Sequence, residues 1–208
     1  MRARRRTRAA PRASTVHFDE EYYRRYYVDP RTRIYDQVKH AQLVAGVVSL
    51  SEWFAGPLSS VLDVGAGVGL WKAWLESNRP GVEVLSTELE ADACRRYGHL
   101  QADLAEWRAP RRFDLVVCQG VLPYLPDARA RAGIGNLAAM CGGLLYVEAI
   151  TKEDLRGAVD LVLTDVRVFE RTAAWYRRAL APHFLELGAG LWAARDANLV
   201  FYALEAQR

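Results

Sequence analysis

The chain lacks the features that would place it in several large protein classes. It has only three cysteines in 208 residues. Cys94, Cys118 and Cys141 are odd in number and scattered, with no CxxC spacing, so neither a disulfide framework nor a thiolate zinc site is expected. They read as reduced thiols in or near the core of a cytoplasmic protein. Long hydrophobic runs are missing too: Leu137–Val147 is broken by glycines and is too short to cross a bilayer, so no membrane association is expected. No apolar stretch follows the basic amino terminus closely enough to form a secretory signal. The net charge of +3 conceals six arginines within Met1–Arg12, which leaves residues 13–208 at −3. A mildly acidic body argues against a broad nucleic-acid surface. Met1–Ser14 is Arg-rich and acid-free, as a transit peptide would be. Because Arg outnumbers Lys along the whole chain, a disordered basic tail over residues 1–15 is the plainer expectation.

What is present fits one globular domain. The apolar fraction is 51% and the length suffices to bury a core. Phe18–Tyr27 carries Tyr22, Tyr23, Tyr26 and Tyr27 at helical spacing. Ile34–Phe54 reads as an amphipathic helix with Leu43, Val47, Leu50 and Phe54 on one face, ended by Gly56-Pro57. Strand and helix signals then alternate. Strands are expected at Val61–Val64, Val82–Thr87, His99–Ala102, Phe113–Cys118 and Leu144–Ala149. Helices are expected at Leu70–Ser77, Ala91–Tyr97, Ala128–Cys141 (stopped by Gly142-Gly143) and Thr172–Leu180. Alternation implies a parallel sheet with helices on both faces. Two final strands, His183–Leu187 and Leu199–Leu204, have no helix between them and must pair antiparallel.

The most informative stretch is Val61-Leu62-Asp63-Val64-Gly65-Ala66-Gly67-Val68-Gly69-Leu70. A buried strand runs into a glycine loop and then a helix amino terminus, where bare N–H groups approach a ligand closely. The dinucleotide fingerprint GxGxxG needs its last glycine at position 70, which is Leu here. No Gly-Lys-Ser/Thr follows, so this is no P-loop. Asp63 would repel a pyrophosphate and suits a cationic or hydroxyl-bearing ligand.

These residues resemble, in order over about residues 58–206, the class I S-adenosylmethionine-dependent methyltransferases. The glycine motif is followed by Glu88 in Leu85-Ser86-Thr87-Glu88-Leu89, by Asp103 in Gln101-Ala102-Asp103-Leu104, and by Phe113-Asp114-Leu115-Val116-Val117-Cys118-Gln119-Gly120. The resemblance implies a Rossmann-like, doubly wound α/β fold with seven strands in the order 3-2-1-4-5-7-6. It implies a catalytic domain over 58–208 preceded by a helical lid segment over 16–57. The cofactor would be S-adenosylmethionine, leaving as S-adenosylhomocysteine. Asp63, Gly65, Ala66, Gly67 and Gly69 would receive its amino acid part, Glu88 and Leu89 its ribose, Asp103 and Leu104 its adenine, and Gln119 and Gly120 would make backbone contacts to its methionine moiety.

Departures from subfamily patterns narrow the acceptor. There is no Asn/Asp-Pro-Pro-Tyr/Phe after the fourth strand, and Gln119 stands where metal-dependent relatives carry an acid, so no metal is expected. The acceptor is expected to be a small molecule bearing an O, N or C nucleophile, and the chain a monomer or homodimer. Tyr124, Glu148 and Tyr27 are the candidates for acceptor-side roles, with His40 as a further base and Trp175 and Tyr176 as acceptor-side or core aromatics. The competing expectations are a catalytically silent binding protein on the same fold, or a protein methyltransferase.

Overall fold

The computed structural model describes residues 18–34 and 36–199, so the amino-terminal tail lies outside the described residues. Seven strands form one sheet: β1 (Ser60–Val64), β2 (Glu83–Glu88), β3 (Leu100–Gln101), β4 (Phe113–Gln119), β5 (Cys141–Glu148), β6 (Phe184–Gly188) and β7 (Leu191–Ala194). Their order is β3-β2-β1-β4-β5-β7-β6. The first five run parallel, and β7 is antiparallel to both β5 and β6. This is the expected topology.

The helices are α1 (Glu20–Tyr23), α2 (Gln37–Ala55), α3 (Leu70–Asn78), α4 (Ala91–Tyr97), α5 (Asp127–Met140) and α6 (Ala173–Leu180). They cover the sheet on both sides, which is why β1 is buried at every position and β4 at most of them. Alternation along β4 feeds two cores. Val116 and Cys118 join Ile134, Leu137 and Met140 of α5 and Leu180 of α6 on one face. Leu115 and Val117 join Val44, Val47 and Val48 of α2 and Trp71 and Leu75 of α3 on the other. No helix is long and apolar enough to cross a membrane among the described residues.

Several local expectations are corrected. Among the described residues the last strand is Leu191–Ala194, within the stretch expected to be a connection, and of the expected strand Leu199–Leu204 residues 200–204 lie outside the described residues. A two-residue turn at Ala189-Gly190 joins β6 to β7, and both turn residues have positive φ (50° and 80°). Helix α2 starts at Gln37, capped by the Asp36 side chain; of its expected inward face Val47 is buried and Leu43 and Phe54 pack against the core. Its buried residues are His40, Val44, Val47, Val48 and Ser51, while Leu50 is exposed. Gly142 and Gly143 lie inside β5 instead of stopping α5. A Cβ on Gly143 would sit 2.4 Å from the Asp114 carbonyl oxygen, so only glycine lets β5 begin this close to β4. The tyrosine segment is one α-turn running directly into a π-helical turn, Arg24–Val28, not a single α-helix.

Candidate active site

The carboxyl ends of β1, β2 and β4 open into a groove lined by Gly65, Gly67, Glu88, Leu89, Asp103, Leu104, Gln119 and Gly120. Phe18, Tyr22, Tyr23 and Tyr27 roof it. Only about 80 Å³ remains beneath these rings, well short of the ~300 Å³ at the small end of ligand pockets. Of the expected lid segment 16–57, residues 18–28 hold this position, whereas α2 packs on the sheet.

The glycine loop is pinned on each side of Gly67. Its N–H donates to Glu88 Oε2 at 2.9 Å, and Leu89 N–H donates to Glu88 Oε1 at 2.6 Å. Burial nevertheless holds the Glu88 carboxyl above its ordinary pKa. On the other side, His99 reaches the Gly67 carbonyl through Nε2 at 3.2 Å, and its Nδ1 lies 2.8 Å from Ser86 Oγ. A carbonyl only accepts, so Nε2 carries the proton and Nδ1 accepts from the Ser86 hydroxyl. Burial lowers the His99 pKa and keeps the ring neutral. Gly65 turns the loop at φ 67°, and a Cβ there would lie 2.3 Å from Val121 Cγ2.

Asp63 ends within the sheet and is almost wholly buried. Its Oδ2 has no hydrogen-bond partner. Desolvation, and then the charge of Glu88, push its pKa up to about 7. With Ala66, Tyr27, His40, Trp71 and Gln119 it lines a small recess beside the groove. An orphaned carboxylate oxygen is costly unless a donor arrives. Gly69 lines neither space. It packs against His99, at 3.3 Å from an added Cβ.

Asp103 caps the turn after β3 through Ala105 N–H (2.9 Å) and pairs with Arg129 at 2.5 Å. Gln119 is the hub of a hydrogen-bond cluster at the ends of β4 and β5. Trp71 Nε1 donates to its Oε1 at 2.7 Å, and its Nε2 donates to Glu148 Oε2 at 3.1 Å. Trp71 can only donate, so the amide orientation is fixed. His40 Nε2 also approaches Gln119 Oε1, at 3.3 Å. Tyr27 packs over Gly67, its ring 3.6 Å from where a Cβ would be. The Tyr124 hydroxyl meets Tyr22 at 3.0 Å and donates to Asp165 Oδ2 at 3.2 Å, so Tyr22 is the donor of that pair. Tyr176 lies in the core and Trp175 packs against it under Arg171, so neither lines the groove.

A second cavity of about 290 Å³ opens beside the first and shares Gly120 and Tyr124 with it. Glu148 lines this one, at the end of β5. His99, Ser86 and Asp165 were not found by sequence reasoning. The only available signal was that Ser86 and His99 fall in or beside strands bordering the glycine loop. Among the described residues, no group of three or more His, Cys, Asp or Glu is placed to hold a metal ion.

No protein-family model matches the chain, and no curated protein matches it in sequence. Solved structures do match. Magnesium protoporphyrin IX methyltransferase from Synechocystis PCC 6803, solved with bound S-adenosylmethionine, has a TM-score of 0.63 at 22% identity, over 91% of this chain and 100% of that one. The chain has the Rossmann-like methyltransferase fold. The N-methyltransferase NodS from Bradyrhizobium japonicum, solved with S-adenosylhomocysteine, matches this fold with a TM-score of 0.61 at 17% identity, over 86% and 99% of the chains. The amino pentose methyltransferase CalS10 from Micromonospora echinaspora matches at 0.60 and 20% identity, over 79% and 94%.

Proposed function

We propose that this protein transfers a methyl group from S-adenosylmethionine to a small-molecule nucleophile. The observation that carries the reading is Asp63. A buried carboxylate oxygen without a donor, beside a glycine loop and a groove lined by Glu88 and Asp103, suits a ligand with an ammonium at one end and a ribose and adenine along its length. Asp63 would hold the ammonium, and Gly65, Ala66 and Gly67 would let the chain pass closely. Glu88 would take the ribose hydroxyls with Leu89 beside it, and Asp103 and Leu104 would face the adenine. Gln119 and Gly120 would flank the methionine part. The proteins sharing the fold include structures solved with this cofactor or its product, which supports the same choice.

The cofactor supplies an electrophilic methyl group on a sulfonium. The chain's own residues then position rather than react. The tyrosine roof excludes water. Gln119, locked between Trp71 and Glu148, fixes the floor between the two cavities. Tyr124 and Tyr27 border the place where donor and acceptor meet, and Glu148 orients the acceptor or takes a proton from it.

Equilibrium binding of S-adenosylhomocysteine tests the donor side. Binding should be measurable in the micromolar range, and Glu88→Ala should weaken it by about 1.5–3 kcal/mol. No binding at millimolar ligand would sink the proposal. Labelled-methyl transfer in a host extract tests the acceptor: label appearing in macromolecules would move the reading to a protein methyltransferase.

A further inference from the structure

We infer that the acceptor is a cationic amine carried on an apolar body, bound in the cavity beside the groove. This inference rests on the methyltransferase reading. The cavity has two characters. Its walls are apolar, with Ile34, Pro123, Ala149, Ile150, Val159 and Val168. Its charged residues are all acids, Glu148, Asp154 and Asp165, and among the described residues no Lys, Arg or His lines it.

The three acids are not equivalent. Asp165 is buried and gripped by Arg167 through Nε and Nη2, at 2.8 and 3.0 Å, which balances its charge. Asp154 accepts from the Thr151 amide and hydroxyl, which are neutral donors. Glu148 accepts from Gln119 and from the Tyr146 hydroxyl. It borders the groove, because its partner Gln119 lines the groove and its cavity neighbours Gly120 and Tyr124 line both spaces.

A carboxylate or phosphate acceptor would stand among these acids in a space walled by hydrocarbon, where repulsion is weakly screened. A neutral acceptor would strip water from Glu148 and Asp154 and offer no charge in return. An ammonium offsets both costs, while its apolar body fills the side walled by Ile150, Val159 and Val168. At Glu148 the amine nitrogen lies at the mouth shared with the groove. On transfer, the ammonium yields a proton to Glu148, the freed lone pair forms the N–C bond, and the C–S bond breaks with its electron pair left on sulfur. The methylated amine keeps one positive charge, and the proton on Glu148 passes to solvent.

The test compares 3-phenylpropylamine with 4-phenylbutanoate and 3-phenylpropanol as ligands of the protein saturated with S-adenosylhomocysteine, by calorimetry and saturation-transfer NMR near neutral pH. The amine should bind about tenfold or more tightly than the carboxylate, with the alcohol between them. In Glu148→Gln the preference should fall to about threefold or less. Equal binding of amine and carboxylate overturns the inference. So does a preference that Glu148→Gln leaves intact, or no amine binding at about 10 mM. If Glu148→Gln fails to fold, the wild-type comparison and Asp154→Asn decide. A protein that fails to bind S-adenosylhomocysteine sinks the methyltransferase reading itself. One that binds it and shows no preference for the amine sinks only the acceptor class.

Discussion

His99 and Glu88 hold Gly67 of the glycine loop through the peptides on its two sides, and this divides the work of shaping the site. Losing the bond to the Gly67 carbonyl leaves a buried acceptor unmet, which costs about 1–3 kcal/mol. Gln can reproduce the donor at Nε2, whereas Asn reproduces only the position that faces Ser86. His99→Asn should therefore lower the melting temperature by several degrees and weaken S-adenosylhomocysteine binding about tenfold, and His99→Gln should have a smaller effect on both, less than about threefold in binding. Equal losses in both variants would reduce His99 to a packing residue. Asp63 gives a pH signature of definite sign. Its carboxyl titrates near 7 in the fold against 3.8 ordinarily. Between those values the folded chain holds a proton that the unfolded chain has released, so this group's contribution to stability declines as pH rises from about 4 to about 7. A cationic ligand takes the ionised form. Affinity for S-adenosylhomocysteine should thus rise with pH up to about 7 and level off above it, with a proton released on binding below that point. Calorimetry in buffers of different ionisation enthalpy would show the proton, and a flat profile from about pH 5.5 to 8.5 would exclude Asp63 from the ammonium site.

Elements buried on both faces were legible in the sequence, and elements with a choice of face were not. β1 and β4 are continuous apolar runs between turn signals, and they fall within a residue of where pattern places them. In α2, Leu43, Val47 and Phe54 pack inward as the pattern places them, but His40, Val44, Val48 and Ser51 are buried too and Leu50 is exposed, so the stripe is broader than the pattern and excludes one member of it. For the last strand, Leu191–Ala194 and the stretch from Leu199 are equally apolar. A turn at Ala189-Gly190 made the nearer one the hairpin partner, and no composition rule distinguishes a two-residue turn from a longer loop there. Gly142-Gly143 had the usual meaning of a helix stop, and only the approach of the Asp114 carbonyl reveals the other one. Gly143→Ala should lower stability by about 1–3 kcal/mol through the forced separation of β4 from β5, seen as a lower denaturation midpoint. A change below a few tenths would mean the strands part freely there.

For the whole molecule, the sheet supplies a fixed floor and the segment from Phe18 to Val28 a roof. The lining of the groove was readable because it is built from strand ends, whose residues keep a fixed order in the chain. The second cavity was not, because it is assembled from Ile34, the turn after β4, the end of β5 and the stretch 150–168, which are distant in sequence. Tyr124 and Glu148, which line it, stand after and at the end of strands, while Asp165 sits in a stretch without regular pattern.

The three thiols have a use that follows from where they lie. Cys94 is in α4 behind Glu88, Cys118 is at the end of β4, and Cys141 is at the start of β5; all three are buried. Burial raises each thiol pKa, that of Cys118 and Cys141 to about 12. None is nucleophilic while the fold is closed. Alkylation at each position therefore counts openings of the structure around it. Cys94 should label first and slow when S-adenosylhomocysteine occupies the groove, and Cys118 and Cys141 should label together, at the pace of global unfolding. The native sequence thus carries three stopwatches, one under the proposed ribose site and two in the centre of the sheet, with no probe to be engineered in.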